Sequence, residues 1–272
     1  MKRSAFLILL SILQLCSSQL LAETTQRNMQ WELGASLAAL QIPLYPGSKE
    51  SKGYVLPLPY VIFRSEYLEI DEGIRAKLFQ SADVRLNMSM DFGVPVNSDD
   101  SQVRTGMQDL STVLQIGPLL EITLGGSRQQ PWHLRLELPA RLAVATDFKS
   151  VDNLGLIYEP RLSYETRRPF KTGFAWQLTA GVRYASDDYH AYYYDVPPHL
   201  ATPTRAEFKS DGGYSGLFSD VIGNWRYGDL IYWAFVRYQN LSGTEFKHSP
   251  LVEQENYYFF GVGMTWVFAR SL

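Results

Sequence analysis

Large apolar residues stand at every second position along the C-terminal segment: Tyr258, Phe260, Val262, Met264, Trp266 and Phe268 share one parity. The other parity carries Tyr257, Phe259, Gly261, Gly263, Thr265 and Val267. A period of two is the signature of a β-strand with two unlike faces. The same pattern recurs upstream. Val84, Leu86, Met88, Met90 and Phe92 alternate with Arg85, Asn87, Ser89 and Asp91. Trp132, Leu134, Leu136, Leu138, Ala140, Leu142 and Val144 alternate with His133, Arg135, Glu137, Pro139, Arg141 and Ala143. Phe174, Trp176, Leu178, Ala180, Val182 and Tyr184 alternate with Ala175, Gln177, Thr179, Gly181 and Arg183.

Strand-like runs are read at residues 29–41, 54–64, 66–79, 83–93, 110–124, 131–146, 154–167, 171–186, 213–227, 229–241 and 255–268. Many are about ten residues or longer, the length a tilted strand needs to cross a bilayer. The Asp71-Glu72-Gly73 turn signal splits the 66–79 run into 67–71 and 74–79 and makes the count twelve, an even number. The links at 227–229, 168–171, 125–130 and 81–82 are then short and on the inner side. Those at 242–254, 187–212, 147–153 and 94–109 are longer and on the outer side. The expected fold is all-β, a single antiparallel transmembrane β-barrel of the outer-membrane type.

The charges on the polar faces sharpen that choice. Opposite charges pair along the polar faces, Arg85 with Asp91, Glu137 with Arg135 and Arg141, and Glu159 with Arg161, and these, with His133, Arg183, Glu165 and Arg237, stand opposite the large apolar residues. A cation on the lipid side costs ~2–4 kcal/mol near the bilayer midplane, so in a barrel all of these must point into the lumen. Such a lumenal charge ladder is a structural feature first and a selectivity device second. A soluble β-sandwich alternates as well, but it would turn these charges to water and pack the aromatic faces into a core.

The N-terminus supports export. Lys2 and Arg3 precede an apolar run over residues 5–16, and Ala22 stands before Glu23. That order describes a signal peptide over residues 1–22, its apolar run too short for a membrane helix, with one barrel domain over 23–272. The lone Cys16 lies in this leader, so disulfides and thiolate metal sites are excluded from the mature chain. Loss of Lys2 and Arg3 takes the formal charge from −3 to −5, which provides no basic footprint for nucleic acid.

No catalytic arrangement is legible. His133 has no partner marked by spacing, and no Gly-x-Ser-x-Gly elbow occurs. Asp187, Asp188, His190 and His199 match no metal-ligand spacing. The chain is expected to be no enzyme, and to carry no cofactor or metal. Tyr189 and Tyr192 to Tyr194 read as an outer aromatic girdle. Tyr45-Pro46-Gly47-Ser48 reads as a turn, with proline fixing φ and glycine supplying the permissive position.

Three segments stand out in order: Leu44-Tyr45-Pro46-Gly47-Ser48 with the Pro-x-Pro strand at Pro57 and Pro59, then Tyr192-Tyr193-Tyr194-Asp195-Val196, then YQNLSGTEFKHSPLV with Ser249 and Pro250. Together they resemble the MipA/OmpV family of outer-membrane proteins. They follow the family's order over nearly the whole mature chain. Asp195 stands where the family usually has glycine, Thr244-Glu245 replace Asp-Ala, and Ala269-Arg270-Ser271-Leu272 follow the last aromatic residue. The resemblance implies an outer-membrane barrel bathed in lipid. For some members it implies a scaffold joining murein hydrolase to murein synthase. A narrow pore and a surface-exposed adhesin or receptor are the alternatives, and the short inner links offer a scaffold little surface.

Overall fold

The computed structural model describes residues 30–271 apart from 65–67, 71–73, 77–78, 82, 127–129, 148 and 167–172. The signal-peptide segment and Asp71-Glu72-Gly73 lie outside the described residues. One antiparallel sheet contains β1 (Gln30–Pro43), β2 (Ser51–Arg64), β3 (Leu68–Ile70), β4 (Ile74–Ala76), β5 (Phe79–Gln80), β6 (Val84–Gly93) and β7 (Thr112–Gly126). It continues through β8 (Trp132–Thr146), β9 (Val151–Tyr158), β10 (Arg161–Thr166), β11 (Gly173–Ala185), β12 (Gly213–Tyr227), β13 (Leu230–Asn240) and β14 (Asn256–Arg270).

Neighbours in sequence are neighbours in the sheet, and β1 pairs with β14, joining the two ends of the chain. The ends of the strand path are β4 and β5, which are themselves consecutive in the chain, with β4 beside β6. This is an outer-membrane type β-barrel. The 154–167 run is broken at Glu159-Pro160, yet β9 and β10 both pair with β8 and with β11. They form one stave interrupted where proline removes a ladder donor. With β4 and β5 likewise on one stave, the described strands fall on the twelve staves expected.

The alternation resolves as lipid outside and polar inside. Tyr258, Phe260, Val262, Met264, Trp266 and Phe268 are all exposed, while Tyr257, Thr265 and Val267 are buried. Arg85, His133, Arg135, Glu137 and Arg141 are buried in the lumen. An outward apolar band of this kind is what a barrel of the outer-membrane type presents to hydrocarbon.

The outer end departs from the sequence reading. Within the 187–212 link lies helix α1 (Asp187–Tyr194), opened by Asp187 and Asp188 at its positive N-terminal end. Its tyrosines are no girdle: Tyr189, Tyr193 and Tyr194 are buried among Leu44, Tyr45, Val196, Phe246 and Leu251, and Tyr192 packs against the same cluster. Inward burial of their ring area removes them from the headgroup level where a girdle would sit. The outer links thus fold over the barrel mouth as a cap.

Candidate functional site

The site has two layers, a charged lumen and the cap above it. In the lumen, Glu159 accepts from Arg141 at 2.6 Å and from Arg183 at 3.3 Å, with Arg161 at 3.9 Å. Arg141 also faces Asp91 at 3.9 Å. Arg161 donates to Glu137 at 2.7 Å, Glu137 meets Arg135 at 3.2 Å, and Arg135 donates to Glu165 at 2.8 Å. His133 lies 3.9 Å from Glu165. Asp91, His133, Arg135, Glu137, Arg141, Glu159, Arg161 and Arg183 therefore belong to one connected network. Arg85 faces Glu121 at 3.4 Å, which also accepts from Asn87 at 2.8 Å.

Pairing runs mainly across strands. Arg85 and Asp91, six positions apart on β6, are roughly 20 Å distant along the strand and do not meet. Directly opposed residues on adjacent strands are about 5 Å apart, and so Arg161 faces Glu137 in the β8–β10 register. Several partners were not singled out from sequence. Glu32 on β1 receives a two-pronged contact from Arg226 on β12, at 2.8 and 2.9 Å, past two intervening strands. Arg237 pairs with Asp220 and lies over the rings of Phe218 and Phe259 at 5.2 and 5.6 Å. Their parity marks all of them as lumenal, which is the signal that could have found them.

In the cap, segments far apart in sequence converge. Ser48 donates its N–H to the Tyr45 carbonyl at 3.0 Å, and Gly47 has φ +91°, which closes Tyr45-Pro46-Gly47-Ser48 as the expected turn. The Gly47 carbonyl accepts from Glu253 N–H at 2.9 Å and Gln254 N–H at 3.1 Å. Tyr45 Oη donates to the Leu251 carbonyl at 2.8 Å, and Tyr194 Oη to the Pro46 carbonyl at 3.0 Å. Ser249 Oγ donates to the Tyr194 carbonyl at 2.6 Å. The rings of Tyr194 and Phe246 stack with centroids 3.7 Å apart and planes 7° from parallel. Burial raises Tyr45, Tyr193 and Tyr194 above the ordinary phenol range, which keeps them neutral donors.

Two arginines stitch the remaining loops. Arg104 donates to the carbonyls of Tyr193 at 3.0 Å and Gln108 at 3.2 Å. Arg205 donates to the carbonyls of Leu200, Val103 and Thr105. Between network and cap, a cavity of about 10 Å³ lined by Arg183, Tyr189, Tyr194 and Gln239 has room for one water.

The motifs that meet in this cap are those of a known family, and a family model described as MltA-interacting protein MipA matches residues 33–268. The chain belongs to the MipA family. The chain is also similar to the translocator domain of the autotransporter NalP from Neisseria meningitidis. That likeness has 11% identity and a TM-score of 0.36, covering 91% of each chain. It is similar too to the outer membrane protein OprG from Pseudomonas aeruginosa, with 10% identity and a TM-score of 0.24, over 89% of this chain and 94% of that one. A search of the curated proteins finds no match to the sequence. In this MipA-family barrel Tyr45, Pro46, Gly47, Ser48, Ser249 and Pro250 lie in or beside the cap. Pro57 and Pro59 stand on the lipid-facing side of β2, opposite Leu37 and Ala35 of β1.

Proposed function

We propose that this outer-membrane barrel is a structural protein, not an enzyme, that serves as a membrane anchor for murein-hydrolysing and murein-synthesising enzymes. The observation that carries this reading is the closed interior: the lumenal network joins nine charged or ionisable residues named from sequence, Glu165 among them, and the cap above it is locked by Tyr45, Tyr194 and Ser249. A barrel whose lumen is occupied by its own ion pairs acts through its surfaces. The family's name, MltA-interacting protein, supports a murein enzyme as the partner. Export by the N-terminal leader would place the inner rim of the barrel, where the β12–β13 turn pairs Asp229 with Arg270, within reach of such a partner.

The test is co-purification. Barrel extracted in mild detergent after brief crosslinking is expected to retain a murein lytic enzyme, and a barrel that retains none overturns the reading.

The pore reading retains one supporting observation. Arg135 Nε and Nη1 and Arg141 Nε are buried without hydrogen-bond partners, as are polar atoms of Asn87 and Gln115, so the lumen holds sites for water. The adhesin reading loses its tyrosine surface, because those rings face inward.

A further inference from the structure

The lipid-facing side of β13 and β14 changes character toward the outer end. Val236 stands opposite Phe260, Tyr238 opposite Tyr258, and Asn240 opposite Asn256. Each step is two residues, roughly 7 Å along a strand, so about 14 Å carries the wall from apolar side chains through phenol rings to carboxamides. Phe260 is 53% and Tyr258 67% exposed, and Asn256 beyond them is exposed as well. A carboxamide turned to hydrocarbon is costly, so this order puts the two asparagines at headgroup depth. The inner end is built otherwise. There Tyr232 and Trp266 face lipid beside Trp225 of β12, and no Asn or Gln of these three strands shares their side.

The polar groups at the outer end are held in a fixed pattern. Ser242 N–H donates to Asn240 Oδ1 at 3.1 Å, which turns Asn240 Nδ2 toward Asn256, and that nitrogen donates to Asn256 Oδ1 at 2.6 Å. Tyr238 Oη donates to the same oxygen at 2.6 Å. With its oxygen engaged twice, Asn256 keeps both N–H donors free among the described residues. Ser242 Oγ donates to one oxygen of Glu255 at 2.7 Å and leaves the other to accept. Beside them the rings of Tyr238 and Tyr258 lie 5.0 Å apart, with planes 39° from parallel.

Free donors, a free acceptor and an exposed ring face within one patch match a saccharide. Its hydroxyls both donate and accept, and the C–H face of its ring stacks on an aromatic one. A phosphate is a poorer match, because the patch carries the Glu255 carboxylate and no cation to pair with it.

We propose that the outer rim of β13 and β14 is a docking surface for the saccharide head of a glycolipid in the surrounding leaflet. The sugar ring lies on Tyr258, and its hydroxyls meet Asn256 and Glu255. The bilayer is the source because Tyr258 and Asn256 stand on the lipid-facing side of the wall, in line with Phe260.

The test is native mass spectrometry of the purified barrel in mild detergent, with rough lipopolysaccharide, its dephosphorylated form or phosphatidylethanolamine added in equal amounts. The unaltered protein is expected to retain both saccharide lipids alike, and several-fold more of either than of phosphatidylethanolamine. Asn256→Leu and, independently, Tyr258→Leu are expected to lower that retention roughly fivefold or more, the size of one lost hydrogen bond. Tyr258→Phe, which keeps the ring, and Tyr232→Leu, at the inner end, are expected to retain as much as the unaltered chain. Heat-modifiable migration confirms that each variant folds. Equal retention of phosphatidylethanolamine overturns recognition of the sugar, and so does loss of binding on dephosphorylation. Full retention by Asn256→Leu and Tyr258→Leu overturns the patch.

Discussion

Ser249 donates its hydroxyl hydrogen to the carbonyl oxygen of Tyr194 at 2.6 Å, bridging two segments 55 positions apart. Both partners are buried, so the bond is made away from competing water. Ser249→Ala leaves the Tyr194 carbonyl short of a donor and is expected to cost the cap about 1–3 kcal/mol. Tyr45→Phe, which removes the donor to Leu251, is expected to act in the same range. Protease nicking of the outer links, in vesicles that shield the barrel, would show both effects as faster cleavage at an unchanged barrel melting temperature.

Glu159 is the hub of the lumenal network. Replacing it by Gln leaves Arg141 and Arg183 without their shared counter-charge in a buried setting, and the expected loss is ~3–5 kcal/mol. Asp91→Asn is the contrast. Its side chain is 42% exposed and its oxygen is 3.9 Å from Arg141, so the change is expected to be ~1 kcal/mol or less. The temperature at which the compact band disappears on an unboiled gel ranks the two variants, and equal temperatures would refute the hub.

The cap should loosen in acid. Burial, opposed by the hydrogen bond to the Asp211 carbonyl at 2.7 Å, lowers the His190 pKa below its ordinary value. Glu245 and Asp187 favour the charged ring and Arg183 opposes it. A depressed histidine contributes its full stability above the unfolded value of ~6.5, and loses it as pH falls toward the folded value. Protection factors for hydrogen exchange in α1 and around Phe246, taken relative to the slower intrinsic exchange in acid, are expected to fall as pH drops below that point. In His190→Gln this pH dependence should be gone.

Lipid contact has its own signature. Val262→Arg puts a cation on the exposed face of β14 and is expected to cost ~2–4 kcal/mol near the midplane. Asn224→Arg, on the lumenal face of β12, should cost far less because the lumen can hydrate or pair it. Refolding yields in vesicles separate the two.

The strands and the facing of their side chains were legible because a period of two depends on local sequence alone. The run at 110–124 became β7 and that at 229–241 became β13, each within a few residues. The ladder was legible for the same reason, since parity placed Arg135 and Glu137 on the lumenal face before any partner was known. Partners depend on register, which two strands settle jointly, and so Arg85 was found with Glu121 and not with Asp91. The cap was hidden altogether. A tyrosine cluster in a loop has one composition whether it turns to headgroups or inward onto Phe246, and only contacts over long separations tell the two apart. The Pro-x-Pro strand was visible as a motif, while its pairing with Leu37 and Ala35 of β1 required the neighbouring strand.

The central claim is that cap and network close the barrel, and single-channel recording of the purified protein in a planar bilayer tests it most directly. The account predicts a silent membrane at neutral pH, with steps appearing once Tyr194→Ala removes the link between α1, Pro46 and Phe246. Steady open-channel current from the unaltered protein would contradict it.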